Sequence, residues 1–256
     1  MDDGGLLESL GPAAVVGAGV LVVVAILLFA NHLQRLRQER LAEVARLLGL
    51  DFIPGVVDGG DPFGCLMGLF GGGGTARASI IARLDGFDPF GRGDSRRASN
   101  LLSGRRAELD WQCFDYQYST GSGKSRSTHH FGIAAATVPM VFAGLQIRPE
   151  SVLDRVASIV GWKDIQFEME AFNRRYFVTS PDAQEAYGIL HPQAMEFLMG
   201  LPPRHWQIKG SRVVLMQSGS YSAEELFRVI SDVEDFLKLL PPYLDQDLRA
   251  RSAYSG

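Results

Sequence analysis

The chain has 256 residues, of which 46% are hydrophobic and 21% are charged, as is usual for a globular protein. Its formal net charge of −4 gives no overall attraction to nucleic acid, so we expect no nucleic-acid partner. The sequence contains two cysteines, Cys65 and Cys113, which excludes a disulfide-rich scaffold and a four-cysteine zinc site. One bridge between them is disfavoured if the folded part lies in a reducing compartment.

The first predicted element is an apolar helix over residues 12–30, PAAVVGAGVLVVVAILLFA, which has no charged or polar side chain. At about 1.5 Å per residue it is about 28 Å long, close to the hydrocarbon thickness of a bilayer. A cleavable signal peptide begins with basic residues, whereas the charges before this helix are acidic: Asp2, Asp3 and Glu8. We therefore predict one transmembrane helix.

The charges that flank the helix predict its direction. Arg35, Arg37 and Arg40 follow it closely, and no Lys or Arg precedes it. Basic residues are retained on the cytoplasmic side of a membrane. We expect residues 1–11 to form an extracytoplasmic tail and the rest of the chain to lie on the cytoplasmic side of the cell membrane.

A second helical pattern covers residues 31–49 and ends at Gly49, a residue suited to helix C-termini. Its apolar residues form a stripe at helical spacing: Leu33, Leu36, Leu41, Val44 and Leu48. The stripe predicts packing on the protein's own sheet. A short parallel coiled coil is the alternative, but fewer than three heptads are present.

Residues 50–149 have strand patterns. A short strand is predicted at 51–57, followed by the Gly-rich segment 59–74, whose apolar residues enter the core or touch the bilayer. Further strands are predicted at 76–84, 107–119, 130–138 and 141–148, with a polar connection at 87–106. In 107–119 the alternation changes phase, which indicates a bulge near Cys113 or a strand covered on both faces.

The second half alternates helices and strands. Helices are predicted at 150–160, 181–190, 192–199 and 223–240, with Ser180 and Ser222 as N-caps. Strands are predicted at 164–169 and 176–179, and at 206–209 and 212–217, the last two joined by a hairpin at Gly210 and Ser211. Residues 247–256 are predicted to be a flexible tail.

These patterns favour an α+β fold, in which an N-terminal transmembrane helix precedes a soluble domain of antiparallel strands with helices packed on one face. The domain is expected to span residues 50–246, with a possible subdivision near residue 149.

Residues 119–128, STGSGKSRST, contain the Gly-Lys-Ser that closes a phosphate-binding loop. The full motif, G-x-x-x-x-G-K-[ST], begins with another glycine. In this sequence Tyr118 occupies the position of that first glycine. Strand patterns on both sides predict a β-hairpin instead. Lys124 and Arg126 could still contact a phosphate or a lipid head group, although a solvated basic loop is the simpler interpretation.

Other polar residues give weak signals. His129 and His130 point to opposite faces of a strand, so they do not form a metal site. Asp110 and Asp115 could lie on one face if the strand has a bulge, and paired carboxylates can perform acid–base catalysis. His191 and His205 are expected to have structural roles. No nucleophile elbow is present, and we expect no cofactor.

Two stretches, NLLSGRRAELDWQCFDYQYSTGSGKSRSTHH and FNRRYFVTSPDAQEAYGIL, resemble a family of uncharacterised bacterial membrane-anchored proteins. The resemblance covers most of the chain after Arg40, and its most distinctive part is the F-D-Y-x-Y string before the hairpin. It implies a leading transmembrane helix and an α/β soluble half. It implies no activity and no site residues.

The leading hypothesis is a membrane-tethered, cytoplasm-facing binding or scaffolding module that contacts the lipid bilayer and an unknown protein partner. Ala13 and Gly17 form a small-xxx-small pair that allows a homodimer through the transmembrane helix. The alternative is a membrane-bound hydrolase with a site near residues 115–130. An enzyme would require a concave pocket that brings together Asp110, Asp115, Lys124 or His129.

Overall fold

The computed structural model describes residues 12–59, 80–150 and 162–254. The helices in these ranges are α1 (Pro12–Leu48), α2 (Ile80–Arg83), α3 (Glu170–Asn173), α4 (Ala183–Ile189), α5 (Pro192–Gly200), α6 (Ala223–Lys238) and α7 (Pro242–Tyr254). The strands are β1 (Asp51–Gly59), β2 (Asp94–Arg106), β3 (Leu109–Thr120), β4 (Ser127–Pro149), β5 (Lys163–Asp164), β6 (Tyr176–Ser180) and β7 (His205–Ser218).

The transmembrane helix predicted over residues 12–30 and the helix predicted over residues 31–49, which we call the juxtamembrane segment, form one continuous helix, α1. It contains a stretch that is long and apolar enough to cross a membrane and that is not buried against the protein. The helix ends where predicted, because Gly49 adopts a left-handed φ of 71°. The Gly49 N–H donates to the Arg46 carbonyl (3.2 Å) and the Leu50 N–H to the Ala45 carbonyl (2.8 Å), which satisfies the last turn.

The strands form one antiparallel sheet in the order β1-β2-β3-β4-β6-β5, and β7 pairs with the other edge of β4. The first half of β4 pairs with β3, its second half with β6, and β7 follows it along most of its length. The predicted α+β class is confirmed. All the described helices except the short turn α2 contribute to the apolar cluster on one face of this sheet.

Both faces of the sheet are covered, and this explains the phase change in β3. Leu109, Trp111 and Cys113 belong to the helix-covered cluster, whereas Phe114 and Tyr116 belong to a second cluster on the opposite face. Strand β3 pairs with β4 without irregularity. A register shift lies instead in β2, between Ser99 and Leu102, so β3 is a strand covered on both faces.

Strand predictions were wrong where pairing is long-range. Residues 80–83 form a helical turn, and the polar connection predicted at 87–106 contains strand β2, whose backbone pairs with β1 and β3.

Two pairs of predicted strands are each one continuous strand in the structure. Residues 130–138 and 141–148 both belong to β4. The hairpin predicted at Gly210 is a register shift within β7, because both halves of that strand pair with β4. The strand predicted at 164–169 is reduced to β5.

Two further corrections concern helix ends. Asp182, not Ser180, caps α4, since its side chain accepts the Glu185 N–H; Ser180 Oγ instead donates to the Gly144 carbonyl (2.6 Å). The tail predicted to be flexible from residue 247 is helical to Tyr254, because Leu244 and Leu248 are buried in the core.

Three predictions fall outside the described residues. They are the Gly-rich segment 59–74 after Gly59, the helix 150–160 after Glu150, and any bridge that involves Cys65.

Candidate functional site

The apolar stripe of the juxtamembrane segment divides into two parts. Leu41 and Leu48 are buried against the folded domain, as predicted. Leu33 and Leu36 remain 49% and 42% exposed, so the part of the helix nearest the apolar segment does not pack on the sheet. The transition between the two parts occurs at Arg37.

Arg37 joins α1 to the sheet through a bidentate ion pair. Its guanidinium donates to both carboxylate oxygens of Asp115 in β3, at 2.7 and 2.9 Å, and to the Tyr221 carbonyl at 2.8 Å. Bidentate arginine–carboxylate pairs constrain direction as well as distance. The contact therefore orients α1 relative to the sheet.

Asn100 extends this network to two more strands. It lies at the register shift in β2 with a positive φ of 54°. Its Nδ2 donates to Asp115 Oδ2 at 2.8 Å, while its Oδ1 accepts from Gln38 Nε2 and from the Gly55 N–H, both at 3.1 Å. Residues of α1, β1, β2 and β3 thus share one hydrogen-bonded network.

An open groove of about 490 Å³ lies beside this network, and we call it the juxtamembrane groove. Three directly paired residues on neighbouring strands line it: Arg97 of β2, Gln117 of β3 and His130 of β4. Paired residues on adjacent strands lie side by side on one face. The remaining lining is mostly polar and includes Gln34, Arg37, Gln38, Asn100, Asp115 and Ser220.

The groove lies at the end of the domain toward which the apolar part of α1 extends. Arg37 contacts Asp115, whereas Leu50, beyond the other end of α1, packs against Gly104, which pairs with Trp111. Helix α1 and strand β3 therefore run in opposite directions. Arg37 follows Ala30 by about 10 Å of helix, and Thr120 follows Asp115 by about 17 Å of strand. The β3–β4 hairpin and the groove therefore lie at the end of the domain from which the apolar segment of α1 extends.

The predicted β3–β4 hairpin is confirmed, and Gly-Lys-Ser forms its single 3-10 turn. Lys124 is exposed in this turn. Arg126 forms an ion pair with Asp94 and donates to Ser95 Oγ at 2.8 Å. The two basic residues proposed from the sequence to contact an anion are therefore at the hairpin tip, and one of them is paired within the fold.

The histidines of β4 have separate environments. His129 Nε2 lies 2.9 Å from Thr120 Oγ1 and its ring stacks on Tyr118, whereas His130 lines the juxtamembrane groove. Among the described residues, no group of three or more His, Cys, Asp or Glu is placed to hold a metal ion.

The hypothetical acid–base pair is not assembled. Because β3 pairs with β4 without a bulge, Asp110 and Asp115 point to opposite faces. Both carboxylate oxygens of Asp115 already accept hydrogen bonds from Arg37 and Asn100. The aspartate of the F-D-Y-x-Y string thus has a structural role.

His191 and His205 have structural positions, as expected. His191 contacts the Leu239 carbonyl at 2.8 Å through Nε2. His205 is buried, and this burial, together with the positive charges of Arg148 and Arg92, lowers its pKa to about 3. Burial raises the pKa of the nearby Asp88, an effect that the Arg92 ion pair opposes.

The sequence did not identify Arg97, Gln117 and His130 as a group, because they are far apart in the chain and only the pairing of their strands brings them together. A usable signal was present in β3. Trp111 and Cys113 are followed on the same face by Asp115 and Gln117, so the face changes from apolar to polar within one strand. The glutamines of α1 continue this change on the opposite wall of the groove.

Comparisons with known proteins give little functional information. No family model matches the sequence, and no curated protein matches it. Among solved structures, the chain is similar to the mycobacterial trehalose monomycolate transport factor A, TtfA. The TM-score is 0.48 at 11% identity, over 80% of this chain and 96% of that chain. A similarity at this level carries no argument about function.

Proposed function

We propose that this protein is a membrane-tethered binding or scaffolding module whose folded domain faces the cytoplasm and whose binding surface is the juxtamembrane groove. One observation carries the proposal: the helix that contains the apolar segment also forms one wall of the groove. Whatever binds in the groove is therefore held close to the membrane.

The arginines after the apolar segment support the cytoplasmic orientation. Arg35 and Arg40 are exposed on α1, and basic residues near a transmembrane helix favour the cytoplasmic side. Arg37, the third residue of this group, also orients the domain through Asp115. The cell membrane is the compartment that this arrangement fits.

The network at Asp115 and Asn100 supports binding by a preorganised site. Side chains held by several hydrogen bonds lose little conformational freedom when a ligand binds. The residues suggested for a hydrolase do not lie together in one site. Asp110 and Asp115 lie on opposite faces of β3, and Lys124 is at the hairpin tip. We therefore propose no reaction.

Self-association is a second part of the proposal. Gly17 is exposed on α1 and follows Ala13 by four residues, so the small side chains of this pair would let a second helix approach closely. Full-length protein in detergent is expected to show dimers that Gly17→Ile reduces and that Gly19→Ile leaves intact. Equal effects of the two substitutions would contradict pairing through Ala13 and Gly17.

Topology and binding can be tested in one membrane preparation. A C-terminal epitope is expected to resist protease added to intact spheroplasts, and an N-terminal epitope to be removed. A photo-crosslinking residue at Gln117 is expected to capture a partner, and the same residue at Gln112, on the opposite face of β3, is expected to capture none. Removal of the C-terminal epitope would contradict the orientation, and equal capture at both positions would contradict the groove as the binding surface.

A further inference from the structure

We propose that a second groove, on the face of the sheet opposite the juxtamembrane groove, binds a small soluble phosphate ester that also carries hydroxyl groups, such as a sugar phosphate. We call it the distal groove. Its volume of about 370 Å³ lies at the lower end of the range for small-molecule sites. The two grooves are separate, so this binding goes beyond the proposed function and does not depend on it.

The floor of the distal groove is a row of four directly paired residues on four neighbouring strands. They are Arg105 of β2, Asp110 of β3, Thr137 of β4 and Arg212 of β7. Paired residues on adjacent strands lie side by side on one face. Arg83 of α2 also lines the groove, close enough to Arg212 for their charges to interact. Each guanidinium presents its N–H donors in a planar fork that suits phosphate oxygens.

The three arginines of the distal groove have a charge that the fold does not balance. Among the described residues, none of them forms an ion pair or a hydrogen bond, whereas the next residue, Arg106, pairs with Glu234 of α6. Burial, and then the positive charge of Arg83, lower the pKa of Arg212. Three arginines and the one carboxylate of the lining, Asp110, leave an excess of two positive charges. A phosphate monoester, with a charge of about −1.5 to −2 at pH 7, matches this excess.

The other polar groups of the lining favour an ester over inorganic phosphate. Asp110 repels a bare phosphate but accepts hydrogen bonds from hydroxyl groups. Ser103 and its paired residue Gln112 form the next row of the floor. The side chains of Ser103, Gln112 and Thr137 have no hydrogen-bond partner in the part of the chain that the structure describes. A ligand with its phosphate at the arginines and its hydroxyls at these groups satisfies both sets.

The position of the distal groove favours a soluble ligand over a lipid head group. Asp110 precedes Gln117 of the juxtamembrane groove by seven residues, or about 23 Å of strand. The apolar segment of α1 extends from the Gln117 end of β3, so the distal groove lies at the opposite end. A lipid beside the apolar segment is therefore too far away to occupy it.

Binding can be measured with the full-length chain in a neutral detergent, by equilibrium dialysis against radiolabelled glucose-6-phosphate. The wild type is expected to bind glucose-6-phosphate more tightly than inorganic phosphate or glucose. Arg105→Gln is expected to weaken glucose-6-phosphate binding about tenfold, because one charged hydrogen-bond donor is lost. Arg228→Gln removes the same charge from an exposed position on α6 outside the groove and is expected to have no effect.

A second pair of variants tests a gain of affinity, which unfolding cannot produce. Asp110→Asn removes the carboxylate that repels phosphate. It is expected to strengthen the binding of inorganic phosphate about fivefold and to reduce the preference for glucose-6-phosphate. Glu196→Gln makes the same charge change at an exposed position on α5 and is expected to leave both affinities unchanged.

Four results would overturn the inference. The first is a wild-type protein that binds no glucose-6-phosphate at millimolar concentration, and the second is an equal effect of the groove variants and their controls. The third is an equal affinity of the wild type for inorganic phosphate and glucose-6-phosphate, because hydroxyl recognition would then contribute nothing. The fourth is displacement of glucose-6-phosphate by an equal concentration of phosphatidylglycerol, which would identify a lipid as the ligand.

Discussion

At the scale of single residues, Arg37 orients the N-terminal helix α1 relative to the domain. Its planar guanidinium reaches three acceptors, two on Asp115 and one on Tyr221. A lysine has the same charge but lacks the planar fork that makes these contacts together. The position therefore depends on the shape of the side chain as well as on its charge.

Arg37→Lys is expected to destabilise the docking of α1 by about 1–3 kcal/mol, because a partly buried carboxylate loses charged hydrogen bonds. Hydrogen exchange should increase in residues 38–48 and stay constant in α7. Arg40→Lys is the control, since Arg40 lies 3.7 Å from Glu224 in an exposed pair and such pairs contribute little. Comparable exchange in the two variants would show that the fork is unimportant.

His205 makes stability depend on pH. Burial, followed by the charges of Arg148 and Arg92, lowers its pKa to about 3 in the folded state. Its neutral form therefore contributes stability above the ordinary histidine pKa of about 6.5, and this contribution is lost as the pH falls toward the folded-state pKa.

Between pH 7 and pH 5 this single group is expected to remove about 2 kcal/mol from the free energy of unfolding. His205→Gln is expected to show a correspondingly smaller change over the same interval, measured by urea denaturation of the full chain in detergent. His32→Gln, at an exposed position on α1, should retain the wild-type pH dependence. An identical pH dependence in His205→Gln and the wild type would refute the assignment.

At the scale of elements, the C-terminal helix α7 is part of the core. Leu244 and Leu248 are buried, and Arg251 forms an ion pair with the buried Glu185 at 2.6 Å. The helix has few apolar residues, so its sequence resembles that of a solvated tail. Its docking depends on a small number of well-placed contacts.

Leu248→Ala is expected to lower the free energy of unfolding by about 2–5 kcal/mol, the usual cost of a buried leucine. Arg249→Ala, at the adjacent exposed position, is expected to change it by less than about 0.5 kcal/mol. Thermal or urea unfolding followed by circular dichroism provides the comparison. Similar values for the two variants would restore the view that this segment is a flexible tail.

At the scale of the whole molecule, the continuity of α1 joins the apolar segment directly to the folded domain. The helix has no break between its apolar segment and Arg37, so the distance between the apolar segment and the juxtamembrane groove depends on the helix length. Insertion of seven helix-forming residues after Ala30 is expected to lift the domain by about 10 Å while keeping nearly the same helix face toward it.

A fluorophore at Lys124→Cys, in a chain with Cys65 and Cys113 replaced, is expected to be quenched by a head-group quencher in the wild-type length and much less in the lengthened chain. A fluorophore at Glu108→Cys, in the turn between β2 and β3 at the other end of β3, provides the control and should be little affected in both. Unchanged quenching at position 124 would show that the hairpin does not face the bilayer.

The candidate site was only partly predictable. The hairpin, the basic residues near it and the apolar helix were all evident from local pattern, because each depends on neighbours within a few residues. The juxtamembrane groove was not, because Arg97, Gln117 and His130 come from three strands. The sequence did not identify Asn100 as a site residue, because its positive φ results from a register shift between two strands.

The sequence by itself determined the apolar helix, its end at Gly49 and the N-cap Ser222 that begins α6. In each case the backbone groups are satisfied by residues close in the chain. Tertiary structure alone decided the strand character of β2, the union of the two predicted segments in β7, and the contact of Arg37 with Asp115 across 78 residues. These features depend on which distant strands supply the hydrogen-bond partners. The side-chain pattern within a single segment does not indicate those partners.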